Sequence, residues 1–258
     1  MNQPAPSAYK GLLMSFDSLL REITSLTKCA APYLTQETTS IVLPQWKSAL
    51  ESFRDSTDAP SASWQIPIGT PIQTLDSTGY DRNTGRAVFA RISCVWELEK
   101  VRDPKKKRAG RWSSKACCLK GLASTQVTLF ERSAQDFTTL AMWTFEVGDG
   151  SQGTHFHTQV KVDGGPPFPA WLPVPRLPTV IVTPMDVLDF VLSELFQQSW
   201  GQHLAGHVGE AGIWDSEQKT RLVKLLDWHS TCARSSGSTA WHRIKNARPE
   251  LGLLGANA

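Results

Sequence analysis

No stretch of the chain approaches the roughly 20 consecutive apolar residues that a membrane helix requires, so no membrane partner is expected. The opening residues lack a basic segment followed by an apolar one, so no secretory leader is expected either. The five cysteines (Cys29, Cys94, Cys117, Cys118 and Cys232) include no C-x-x-C pair. An odd, scattered set fits a reduced, cytoplasmic protein whose thiols serve as small core side chains. There is no glycine-rich phosphate loop of the P-loop or Rossmann type, no G-x-S-x-G elbow, no H-E-x-x-H helix and no internal repeat. These absences argue against the commonest nucleotide-driven, serine-hydrolase and zinc-protease chemistries and leave rarer ones open.

What is present is an ordinary globular composition. Of 258 residues, 40% are hydrophobic and 20% charged, enough to bury a substantial core in one domain. The ten tryptophans suit cores, interfaces and base stacking alike, so their number selects no function. Apolar residues at spacings of three and four predict a helix over residues 9–26, and a second from Pro44 carrying Trp46, Ala49, Leu50 and Phe53 on one side. Residues 64–75, interrupted by Pro67 and Pro71, make at best an edge strand. Alternation predicts strands over 87–101, 116–131, 138–147 and 154–162, joined as an antiparallel meander. Prolines between 166 and 178 impose an extended path, with Phe168, Trp171 and Leu172 anchoring it as a strap. Thr183-Pro184-Met185-Asp186 starts a buried helix that runs to about Trp200. The glycines between 201 and 212 break it, Asp215 caps the next helix, and a short one ends before Pro249.

The resulting expectation is an α+β fold: a central antiparallel sheet of four or five strands flanked by N-terminal and C-terminal helices. It is read as a single domain over 1–258, with a helical part at 1–55, a β-rich core at 64–162 and a second helical part at 183–248.

Charge is uneven. Residues 100–120 hold nine Lys/Arg and one acid, leaving eighteen basic and twenty-three acidic residues for the rest of the chain. Within this run, Lys105, Lys106, Lys107, Arg108, Arg111 and Trp112 lie between two predicted strands. Lysine and arginine there can neutralise phosphates and Trp112 can stack on a base, which makes nucleic acid or another polyanion the expected partner. A solvated loop is the plainer alternative. The run also has the look of a nuclear-localisation signal.

The second candidate is His155, His157 and Gln159, at alternate positions of an extended segment and therefore on one side of a sheet. The sequence His-Phe-His-Thr-Gln-Val resembles the core of the histidine-triad nucleotide proteins, in the branch with glutamine at the third position. That resemblance implies nucleotidyl transfer with His157 as nucleophile and His155 and Gln159 holding phosphate oxygens. Residues 155–200 also resemble uncharacterised bacterial proteins with an H-x-H strand, a proline-rich connection and a Thr-Pro helix, for which no activity is implied. From the residues alone, the plainer reading is a pair of histidines bonded to neighbouring carbonyls or water, with a cation shared with Glu146 or Asp149 as an alternative chemistry. No metal is assigned, and no cofactor is identified.

His203 and His207 fall in the glycine-rich stretch and are read as loop residues. The pairs Trp228-His229 and Trp241-His242, with Arg243, Lys245 and Arg248 nearby, are read mainly as core packing, with a protein partner as the alternative. Two functions are carried forward. One is a cytosolic binding or accessory protein that touches nucleic acid or another polyanion through the basic loop, within a larger assembly. The other is a phosphoester- or nucleotide-processing enzyme built on the H-x-H-x-Q strand.

Overall fold

The computed structural model describes residues 11–78, 85–102, 112–134, 136–148, 155–161 and 176–254. The chain opens with a short strand, β1 (Leu12–Ser15), and turns directly into α1 (Phe16–Ala30). The Ser15 side chain accepts a hydrogen bond from the Ser18 N–H, which stops the helix from extending backwards. Leu12 and Leu13 therefore belong to a strand, although their spacing continues the helical stripe. Gly11 explains the departure. Its φ of +93° leaves the helical region, and a Cβ there would lie 2.3 Å from Cys118 Sγ and 2.6 Å from the Leu119 carbonyl oxygen.

After α1 a π-helical turn leads into α2 (Leu43–Asp55), which buries Leu43, Trp46, Leu50 and Phe53. The strands follow: β2 (Ser61–Ile66), β3 (Ile72–Gln73), β4 (Ala87–Arg102), β5 (Trp112–Arg132), β6 (Phe137–Val147), β7 (Phe156–Lys161) and β8 (Leu177–Pro178). They form one antiparallel sheet in the order β2-β4-β5-β6-β7-β8, with β1 paired to β5 and β3 to β4. The fold is α+β, but among the described residues the sheet has eight strands rather than four or five. The extra ones, β1, β3 and β8, span two to four residues and are too short to show alternation. β2 lies at an edge, where the proline after Ile66 is tolerated.

On β4 the even positions Val88, Ala90, Ile92, Cys94, Trp96 and Leu98 are buried in the main core with side chains of α1, α2 and α3. Trp46 on α2 stacks on Trp64 of β2 at 4.0 Å, and Trp64 meets Trp96 edge-on at 6.0 Å. Such pairs add about 0.5–1.5 kcal/mol each beyond area burial. Lys100 continues the even parity and is 2% exposed. Its ammonium donates to the carbonyls of Arg54 and Ser56 at the end of α2 and lies over the Phe53 ring, so the cation caps the negative end of that helix. Burial pulls its pKa down, against the pull of Asp55.

The helix α3 (Pro184–Gly206) starts with the expected box: the Thr183 hydroxyl accepts from the Asp186 N–H and the Asp186 carboxylate accepts from the Thr183 N–H. It does not end at Trp200. It bends at Gln197 (φ 45°, ψ −119°), continues to Gly206, and α4 (Val208–Arg234) follows at once. Asp215 lies inside α4 and caps nothing. A Cβ added at Gly201, Gly206, Gly209 or Gly212 would meet nothing within 4 Å, so these glycines sit on open sides of helices held by Trp200, Leu204, Ala211 and Trp214. Packing outweighs a propensity cost of about 1 kcal/mol per glycine. Asp189 fastens this region by accepting from the indoles of Trp200 (2.8 Å) and Trp214 (3.3 Å) and from Gln218 (2.9 Å). The last helix, α5 (Ala240–Asn246), is capped by Thr239.

Candidate functional site

The turn between β6 and β7 brings the H-x-H-x-Q strand against a carboxylate. The register pairs Val147 with Phe156, Glu146 with His157 and Thr144 with Gln159. Val147 and Phe156 enter the core, so Glu146, His157, Thr144 and Gln159 belong to the opposite face of the sheet. Across β5 that face continues with Ser124 beside Glu146 and Gln126 beside Thr144. The result is a polar band of hydroxyl, amide, carboxylate and imidazole groups over three strands.

Within the band, His157 Nε2 lies 2.7 Å from Glu146 Oε2. Gln159 Nε2 donates to the same oxygen at 3.2 Å and lies 3.3 Å from His157 Nε2. A carboxylate at that distance orients the ring: Nε2 carries a proton and points at Glu146. The pair is therefore oriented like a histidine–carboxylate base. Two features work against phosphate capture. Glu146 brings negative charge to the atom that would meet phosphorus, and the His157 residue is only 3% exposed.

His155 precedes β7, and its carbonyl accepts from the Gly148 N–H at 3.1 Å. It is 1% exposed, with its ring edge-on to Phe156 at 5.0 Å. Burial, with smaller contributions from Arg248 and His157, pushes its pKa down to about 3, so the ring is neutral at physiological pH. A neutral imidazole is a weak partner for a phosphate oxygen. The three sequence-selected residues are thus neighbours on one ribbon, and the carboxylate that organises two of them is Glu146. The hairpin register was the available clue: counting back across the turn from His157 reaches Glu146.

The basic residues Lys105, Lys106, Lys107, Arg108 and Arg111 lie outside the described residues, as do Phe168, Trp171 and Leu172. The flanks of the basic segment are described. Arg102 pairs with Trp112 across β4 and β5, Trp112 is half-buried, and Lys115 is exposed. Lys120 forms an ion pair with Glu99 at 3.4 Å. Lys100, counted from sequence in the cationic run, points into the core and takes no part in it.

His203 and His207 lie at the helical end of α3 and the junction with α4, not in a loop. Their rings are 4.0 Å apart; His203 Nε2 lies 2.9 Å from the Cys29 carbonyl, and His207 Nδ1 lies 2.9 Å from the His203 carbonyl. Trp228 packs partly buried against the core, with its ring 5.4 Å from Phe156, whereas Trp241 is exposed. The buried thiols behave as core groups: burial pushes Cys94 and Cys117 up to about 12. Among the described residues, no three His, Cys, Asp or Glu side chains converge as a metal site, and no helix is long and apolar enough to cross a membrane.

A cluster that sequence reasoning missed joins α1, α3 and α4. Arg221 donates to both oxygens of Asp186 (2.9 and 2.6 Å) and to Glu22, while the Thr183 hydroxyl donates to Glu22 at 3.2 Å. All four residues are buried. Burial works against the Arg221 charge, but Asp186 and Glu22 more than restore it, and its pKa is raised. The clue was a charged residue at each apolar stripe: Glu22 between Leu19 and Ile23, and Arg221 in line with Trp214, Leu225 and Trp228.

No family model, curated protein or solved structure matches this chain.

Proposed function

We propose that the chain is a cytosolic binding or accessory protein that contacts nucleic acid or another polyanion through the segment joining β4 and β5, as part of a larger assembly. The observation that carries this is placement. β4 and β5 are paired up to Arg102 and Trp112, and the nine residues between them hold five Lys/Arg and one acid in a chain otherwise in acidic excess. A cationic segment at the end of a long hairpin meets a phosphate backbone without requiring a cleft.

The test is binding of labelled dT20 and of a 20-base-pair duplex across a salt series. Replacing Lys105, Lys106, Lys107 and Arg108 with Ala should weaken binding and reduce the slope of log K against log salt by roughly 0.7 to 0.9 per lost phosphate contact. Equal binding by variant and wild type at every salt concentration would remove the basis of the proposal.

A second reading is favoured by the His157–Glu146 contact: an enzyme in which His157 acts as a base rather than as a phosphorus nucleophile, with Gln159 steadying the carboxylate. His157→Ala should then abolish turnover of a phosphoester and nucleotide panel without unfolding the protein. A wild type without turnover on that panel would refute it.

A further inference from the structure

We propose that the corner between α4 and α5 is a second contact for single-stranded nucleic acid, with Trp241 as the stacking surface and Arg234 and Lys245 as phosphate partners. The proposal rests on the polyanion reading for the class of ligand and adds a site to it.

Trp241 is 63% exposed, while every other described tryptophan is buried or half-buried. An exposed large aromatic is the informative departure from ordinary burial. Trp241 and Lys245 are four residues apart on α5 and project from one side of the helix. From residue 228 to residue 249 there is no acid, against four basic residues: Arg234, Arg243, Lys245 and Arg248. Elsewhere, Arg21, Lys28, Lys47, Arg54, Lys120 and Arg132 are each paired with a carboxylate. Arg234 and Lys245 are exposed and form no ion pair among the described residues.

Arg243 has a different task. It donates to the carbonyls of Cys232, Ala233 and Ser238, so it ties α5 to the end of α4 and holds the corner in shape. An exposed aromatic with an unpaired cation one turn along the same helix, and a second at the end of the preceding helix, is the composition that binds single strands without a sequence code.

Fluorescence anisotropy with labelled dT20 and U20 over a salt series tests the site. Trp241→Ala should weaken binding on the order of tenfold with an unchanged salt slope, because stacking releases no counterions. Trp241→Phe should retain most of the affinity. Arg234→Ala with Lys245→Ala should lower the slope by roughly 1.4. Wild-type affinity in Trp241→Ala with an unchanged melting temperature overturns the proposal. So does a change in oligomeric state without a change in affinity, which would make Trp241 a protein contact. If the hairpin variant binds as wild type while Trp241→Ala is weakened, the hairpin assignment fails and the corner stands; the converse removes the corner alone. A wild type that binds neither oligonucleotide removes both.

Discussion

Glu22 and Arg221, 199 residues apart in sequence, form an ion pair that solvent scarcely reaches. Because Arg221 also serves Asp186, one cation faces two carboxylates, and the cluster carries a net negative charge whenever Glu22 is ionised. Burial, only partly offset by Arg221 and reinforced by Asp186 and Glu217, lifts the Glu22 pKa from 4.5 to about 7.

The sign of the pH effect follows from that shift. A carboxyl whose pKa is raised on folding favours the folded state when protonated. Its contribution is complete below about 4.5 and is lost as pH rises through about 7. Glu22→Gln, which keeps the shape and can still accept from Arg221, should therefore be more stable than wild type at pH 8, by about 1–3 kcal/mol. The gain should shrink toward pH 5. Urea midpoints of both proteins from pH 5 to 8 measure this, and parallel curves would contradict it.

Arg221→Met should have the opposite consequence. It strands Glu22 and Asp186 together without a cation, and removing one partner of a buried network costs about 3–5 kcal/mol. The loss should be largest at high pH, where both carboxylates are ionised. Thermal melts at pH 5.5 and 8 distinguish this from a simple packing defect, which would not depend on pH.

Gly11→Ala should destabilise by at least about 2 kcal/mol. The positive φ is unfavourable for any side chain, and one of the two close neighbours is a backbone oxygen that cannot rotate away. Denaturant unfolding gives the number, and an unchanged midpoint would mean that β1 pairs with β5 differently.

Gln197→Gly should stabilise by about 1 kcal/mol. The Gln197 dihedrals are those of a type II′ turn, a region dominated by glycine, and the helix already bends there. A raised melting temperature without a change in circular dichroism is the expected result.

Much of the sheet could be read from alternation, because Val88 to Leu98 and their partners on β5 and β6 place bulky groups on one face. β1 escaped because Leu12, Leu13 and Phe16 satisfy helical spacing as well as strand pairing; only the Gly11 conformation separates the two. The join of α3 and α4 escaped for a different reason. Four glycines argue locally for a loop, and the contacts that outweigh them, such as Trp200 and Trp214 on Asp189, are tertiary. The histidine strand was visible, and its carboxylate partner followed from the hairpin register. The Glu22–Arg221 pair required knowledge of which helices meet.

Lys100 sits two residues before the end of β4 and grips the carbonyls that close α2. The root of the β4–β5 hairpin is thereby fastened to the helical layer from within. In entropic terms, a ligand of the kind proposed for the segment after Arg102 would not have to immobilise the strands behind it, so the ordering penalty of such an association would stop at the root.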